Sequence, residues 1–132
     1  MARILIVEDD LLQVMDLETL FKSRSHTICG VARTGEGAIL LANTRRPDII
    51  IMDVKLAGWV DGIAAAESIM VTRPCGLIFF TGYADGETKA RITVLRPEAL
   101  LLKPCASEMI IDALDRAIKR RGIRVQVKGP LE

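Results

Sequence analysis

Residues 49–53 read Ile49-Ile50-Ile51-Met52-Asp53, four bulky apolar side chains running without a break into a carboxylate. A half-exposed strand would alternate apolar with polar. An unbroken run this short predicts a strand buried on both faces, as in parallel sheets covered by helices. Three other runs share the form. Ile4-Leu5-Ile6-Val7 leads into Glu8-Asp9-Asp10, Leu77-Ile78-Phe79-Phe80 into Thr81, and Leu100-Leu101-Leu102 into Lys103. Open α/β sheets place their ligands beyond the carboxyl ends of the strands. Acids from two strands, a hydroxyl and an ammonium are therefore predicted to meet at one edge.

The intervening segments have helical spacing. Leu11 to about Arg24 carries Val14, Leu17 and Phe21 on one stripe. Gly35 to about Arg46 carries Ala38, Leu41 and Ala42 behind Thr34 as N-cap. Asp61-Gly62 opens a helix to about Arg73 with Ile63, Ala66 and Met70 inward, and Pro74 stops it. Asp85 to Leu95 contains Thr88, Ile92, Thr93 and Val94, whose β-branching lowers helix propensity; a weak, mobile helix is expected there. Ala106 to Arg121 is a strong helix with Met109, Ile110, Ala113, Leu114, Ala117 and Ile118 as its stripe. Thr27 to Ala32 supplies a further strand, and the aperiodic Val54 to Val60 a loop. The alternation predicts an α/β fold with a doubly wound, five-stranded parallel sheet and helices on both faces; the expected order is 2-1-3-4-5, the flavodoxin-like (βα)5 arrangement. Residues 1–121 form one domain, and 122–132 a basic tail or truncated linker.

The formal net charge of +1 argues against direct nucleic-acid binding and against a membrane surface. Three separated cysteines, Cys29, Cys75 and Cys105, fit neither a zinc site nor a disulfide framework; Cys29 and Cys75 are expected to be small core residues. No stretch approaches the ~20 apolar residues of a membrane span, and Met-Ala-Arg is not the start of a signal peptide. A cytoplasmic setting is expected.

The turn after the first strand narrows the chemistry. Doubly wound proteins that bind a bare phosphate there use glycines, whose backbone N–H groups wrap the anion. Glu8-Asp9-Asp10 would repel it, which excludes a flavin or nucleotide carrier. These carboxylates attract a hard divalent cation such as Mg²⁺. Glu8 and Asp9 face Asp53 in the predicted strand order, and like charges ~5 Å apart repel by about 3 kcal/mol at an effective dielectric near 20. Lys103 supplies part of the compensation and a metal ion the rest. A lone acid at a strand end is usually a helix cap, which is the role expected of Asp10. Four such residues at four strand ends are better explained by one shared site.

Val7-Glu8-Asp9-Asp10, Met52-Asp53, Asp61-Gly62, Phe80-Thr81-Gly82 and Leu102-Lys103-Pro104 stand in an order and at spacings that resemble the receiver domains of bacterial two-component response regulators. The resemblance spans Arg3 to Arg121. It implies that Asp53 is the phosphoacceptor, taking a phosphoryl group from a phosphohistidine on a histidine kinase or histidine phosphotransfer protein. It implies that Asp9, Glu8 through water, Asp53 and the backbone carbonyl of Lys55 hold Mg²⁺. Thr81 and Lys103 would contact the phosphoryl oxygens. Such a protein is a signalling switch, not an enzyme: it catalyses only its own phosphorylation and dephosphorylation. The response would pass through the Thr81 to Leu95 region and the surface of the fourth helix, fifth strand and fifth helix, through which a homodimer is also implied.

Departures from the family pattern sharpen the expectations. The switch aromatic is replaced by Leu100, and Cys105 follows Lys103-Pro104 where Phe is usual. The loop after Asp53 is one residue longer than in chemotaxis-type receivers. Phe79-Phe80-Thr81-Gly82-Tyr83 resembles the Phe-x-Thr-Gly-Tyr motif of a subgroup of single-domain receivers. Lys55 and Tyr83, two residues after Asp53 and Thr81, border the path of a hydrolytic water and predict slow loss of phosphate. The single histidine, His26, precedes the second strand, so a donor histidine belongs to another protein. The rival reading is a Mg²⁺-dependent phosphohydrolase with an aspartate nucleophile. Lys55 stands where such enzymes of the haloacid-dehalogenase type need a second Asp.

Overall fold

A computed structural model describes residues 1–123. Strands and helices alternate as β1 (Arg3–Val7), α1 (Leu11–Ser23), β2 (Thr27–Ala32), α2 (Gly35–Arg45), β3 (Ile49–Met52), α3 (Gly62–Thr72), β4 (Gly76–Thr81), α4 (Gly86–Val94), β5 (Ala99–Leu102) and α5 (Ser107–Arg120). All strand pairs are parallel, and the sheet order is β2-β1-β3-β4-β5. The expected doubly wound fold is the observed one. The tail expected beyond residue 121 lies, apart from Gly122 and Ile123, outside the described residues.

The central strand behaves as its composition requires. Ile49, Ile50 and Met52 are fully buried and Ile51 nearly so. Ile50 and Met52 pack with Ala38 and Ala42 of α2 and Ile63 and Ile69 of α3. Ile49 and Ile51 pack on the other face, with Val14, Leu17 and Phe21 of α1 and Ile110 and Leu114 of α5. Both faces of β3 are therefore covered by helices, which is why the run needs no polar residue. The register pairs Val7 with Met52, Met52 with Phe79 and Thr81 with Leu102. The next residues, Glu8, Asp53 and Lys103, fall at one edge.

The helix stripes hold, with one correction on α5. On α5, Met109 is 53% exposed and Ile111 is buried in its place. The stripe centres on Ile110, Ile111, Leu114 and Ile118, and Met109 lies one residue outside it. On α3, Ile69 and Ala65 are fully packed whereas Met70 is only half-buried. The weak segment does form a helix, α4, but it buries only Ile92.

Two glycines let the loop between β3 and α3 close onto its neighbours. A Cβ on Gly62 would lie 1.8 Å from the carbonyl oxygen of Asp53, and one on Gly35 would lie 2.4 Å from that of Val60. The loop is further tied to the start of α2 by a parallel bridge between Thr34 and Ala57. Gly62→Ala and Gly35→Ala are each expected to lower stability by about 3 kcal/mol or more, since backbone atoms rather than flexible side chains must give way. Urea unfolding of both variants checks this; a loss no larger than that of an ordinary surface substitution would show that the loop yields freely.

Candidate functional site

The edge beyond β1, β3, β4 and β5 gathers the residues singled out in the sequence. Glu8, Asp53 and Thr81 are buried, and Asp9 and Lys103 are half-buried. Carboxylate oxygens of Glu8, Asp9 and Asp53 lie within 4.8 Å of one another. The Lys103 ammonium projects between two of them, donating to Asp53 Oδ2 at 2.9 Å and to Glu8 Oε1 at 2.5 Å. Its Nζ also lies 5.3 Å from the centre of the Phe80 ring, a cation–π contact. The Lys103–Pro104 peptide is cis.

Backbone groups aim the carboxylates. The Val54 N–H donates to Asp53 Oδ1 at 2.7 Å, leaving Oδ2 to Lys103. The Asp10 N–H donates to Glu8 Oε2 at 3.1 Å. Asp10 itself caps α1, accepting from the Leu12 N–H at 3.0 Å, the role its position implied. Arg33 donates to the backbone carbonyl of Asp9 at 3.3 Å.

Burial raises the Glu8 carboxyl above the ordinary carboxylate range, against the opposing hydrogen bonds from Lys103 and Asp10, with the nearby Asp53 charge adding to the rise. Burial alone would lower Lys103; the hydrogen bonds and charges of Glu8 and Asp53 outweigh it and hold the ammonium above its usual value. Lys103 is a fixed cation at neutral pH. The donor set is all-oxygen and clustered, with exposed Lys55 and Tyr83 at the rim. It suits a hard divalent ion with water completing its shell.

Thr81 donates from Oγ1 to the Tyr83 carbonyl at 3.4 Å. Lys55 Nζ stands 5.1 Å from the Tyr83 ring centre, so the two rim residues meet each other. The Tyr83 hydroxyl reaches Asp85 Oδ2 at 3.3 Å, and Asp85 caps α4 through the Thr88 N–H at 2.7 Å. Leu100 is half-buried and packs on the α2–α3 side of the sheet. His26 is remote from the site: its Nδ1 accepts the Ala2 N–H at 3.1 Å, and burial lowers its pKa. Cys29 and Cys75 are buried as expected; burial pushes the Cys75 thiol up to about 11.

The sequence reading missed the Val54 N–H, Phe80 beneath Lys103, and Arg33. A backbone donor leaves no mark in side-chain identity. Phe80 could have been found from its place beside Thr81, but Arg33 carries no signal at all.

A sheet edge with three carboxylates, a buried hydroxyl and a bridging lysine defines a class of phosphoryl-handling signalling domain. Residues 4–115 match the family model described as response regulator receiver domain, and the chain belongs to that family. It is 34% identical over 118 residues to the transcriptional regulatory protein PdtaR of Mycobacterium tuberculosis, covering 89% of this chain and 57% of that protein. It is equally 34% identical over 120 residues to the phyllosphere-induced regulator PhyR of Methylorubrum extorquens, covering 89% and 43%. The chain thus spans about half the length of these curated relatives. Among solved structures, it is similar to the signal receiver domain of a modulated diguanylate cyclase from Desulfovibrio desulfuricans. That match has a TM-score of 0.86 and 31% identity, covering 93% of this chain and 98% of the other. Receivers are regulatory modules, and the phosphohydrolase reading is not favoured. Among the described residues no helix is long and apolar enough to cross a membrane.

Removing Lys103 should expose the repulsion that it now offsets. Lys103→Ala is expected to cost about 1–3 kcal/mol at neutral pH, because Glu8 and Asp53 lose a charged partner while staying buried. Glu8 has a raised folded-state pKa, so protonation relieves the variant first. The deficit should shrink as pH falls through the carboxylate range. Urea unfolding of parent and variant across that range checks it, and a deficit independent of pH would contradict the assignment.

Proposed function

We propose that residues 1–121 are a receiver domain in which Asp53 accepts a phosphoryl group from a phosphohistidine on a histidine kinase or histidine phosphotransfer protein. The observation that carries this is the Lys103 ammonium 2.9 Å from Asp53 Oδ2, inside a cluster of carboxylates. An oxygen of Asp53 attacks phosphorus in line as the P–N bond breaks, and the histidine ring leaves with the bonding pair. Lys103 then transfers its contact from the carboxylate to a phosphoryl oxygen, and Thr81 turns its hydroxyl from the Tyr83 carbonyl to another. Glu8, Asp9, Asp53 and the backbone carbonyl of Lys55 would hold Mg²⁺, which supplies charge neutralisation when bound.

The consequence is a switch and not turnover of an external substrate. The turn of Thr81 loosens Tyr83 and, through Asp85, the cap of α4. With Leu100 in place of an aromatic, there is no ring to exchange between buried and exposed positions. The response runs through residues 81–95 and the α4–β5–α5 surface, where a homodimer would also form. Residues 122–132 are a basic tail or linker outside the domain, and the setting is cytoplasmic.

Incubation with a small phosphodonor and Mg²⁺ should add one phosphate by intact mass, and Asp53→Asn or a chelator should abolish it. Equal labelling of the Asn variant would assign the phosphate elsewhere.

Lys55 and Tyr83 pack over the approach to Asp53, and neither carries a carboxylate or amide to orient water. Self-dephosphorylation is therefore slow. Combining Lys55→Asn with Tyr83→Glu should speed decay of the phosphorylated protein by roughly tenfold, less than the roughly 100-fold or more of a fully positioned proton acceptor because the new side chains stand on exposed loops. A lifetime equal to that of the parent would show that these two side chains do not shield the phosphoryl group.

A further inference from the structure

The net charge of +1 is the sum of two poles of opposite sign. Parallel strands send every helix back antiparallel to the sheet, so all helix N-termini lie at the Asp53 end and all C-termini at the other. The poles are about 16 Å apart, five strand steps from Asp48 to Asp53. The first pole holds Glu8, Asp9, Asp10 and Asp53, with Asp61 and Asp85 as helix caps. The second holds Arg24, Arg46, Arg73, Arg96 and Lys119, whose side chains make no ion pair or hydrogen bond among the described residues. Three acids share this end, and of these Glu98 is ion-paired. Asp48 accepts the Arg3 N–H at 2.8 Å, and Glu98 pairs with Arg120 at 2.8 Å and Arg121 at 3.5 Å. Asp115 shares a shallow hollow with Arg24, His26 and Lys119.

The centre of this pole is a row of three Arg-Pro steps, Arg46-Pro47, Arg73-Pro74 and Arg96-Pro97, leading into the adjacent strands β3, β4 and β5. Cations near helix C-termini complement the helix dipole, which accounts for part of the bias. It does not account for Arg46 and Arg96. Both adopt left-handed backbone, each at φ 50, where glycine would end the helix with less strain. Side chains are present where the backbone would favour none.

We propose that this basic pole binds the phosphate backbone of a nucleic acid. Arginine predominates over lysine, as suits bidentate phosphate contact. A protein partner would seek an apolar centre, and a membrane surface would seek insertable aromatic or aliphatic side chains. The large exposed residues with aromatic or long side chains at the loop ends, Leu11, Leu12, Met15, Trp59 and Tyr83, stand toward the acidic pole, while among the described residues the basic pole exposes only the short side chains of Val71 and Val94 beside Arg73 and Arg96.

Fluorescence anisotropy with labelled 24-base-pair DNA and with single-stranded RNA of the same length tests this from 50 to 200 mM salt. Binding should weaken steeply with salt. The double substitution Arg46→Gly and Arg96→Gly keeps or improves stability, since both backbones suit glycine. It should weaken binding to duplex at low salt and flatten the slope of log K against log salt by about 2, near 0.9 per lost phosphate contact. Asp53→Asn should bind as the parent does, so the outcome is independent of the phosphoacceptor assignment. No binding at 50 mM salt, an unchanged slope in the double variant, or binding to phosphatidylglycerol vesicles without binding to either nucleic acid would each overturn the proposal.

Discussion

Charge compensation by Lys103 is the interaction on which the site depends. Three carboxylates clustered within 4.8 Å would drive one another apart or take up protons. The ammonium contacts Glu8 and Asp53 at once, and Phe80 backs it from below. The position of Lys103 follows from the pairing of β5 with β4 in the register of Leu102 with Thr81. A slip of one residue along β5 would turn its side chain to the other face and leave the acids uncompensated.

Rigidity is distributed unevenly around that centre. On the β3 side, Gly62 and Gly35 allow backbone to approach backbone, and Thr34 bridges Ala57, so the loop carrying Lys55 is firmly seated. On the β4 side, α4 buries a single side chain, Ile92. It is otherwise held by its Asp85 cap and by Arg91, whose guanidinium reaches Asp61 at 3.3 Å. Exposed ion pairs of this kind contribute little. A helix with so few anchors, capped by a residue that touches Tyr83, is suited to report changes at Thr81, while the opposite wall holds the acids in place.

Much of this was legible in the residues. Apolar runs that end on Glu8, Asp53, Thr81 and Lys103 signal buried parallel strands, and such strands converge on one edge. Thr34, Asp61 and Asp85 cap helices as their side chains allow. Legibility failed where position depends on the angle at which elements pack. Met109 and Ile111 are equally apolar, and only the orientation of α5 against the sheet at β4 selects the second. The Val54 N–H that orients Asp53 has no side chain through which it could be read.

Patterns of apolarity and the identity of the residues that follow them determined the fold class and the residues that meet at one sheet edge, because burial and chain connectivity act locally and additively along the sequence. Tertiary structure alone decided which oxygen of Asp53 faces Lys103, how close the backbones come at Gly62, and that a nearly neutral chain carries an acidic pole and a basic pole. Those properties arise from juxtaposition. A net charge is a sum and keeps no record of direction, whereas a parallel sheet sends every helix the same way and so sorts the charges at their two ends.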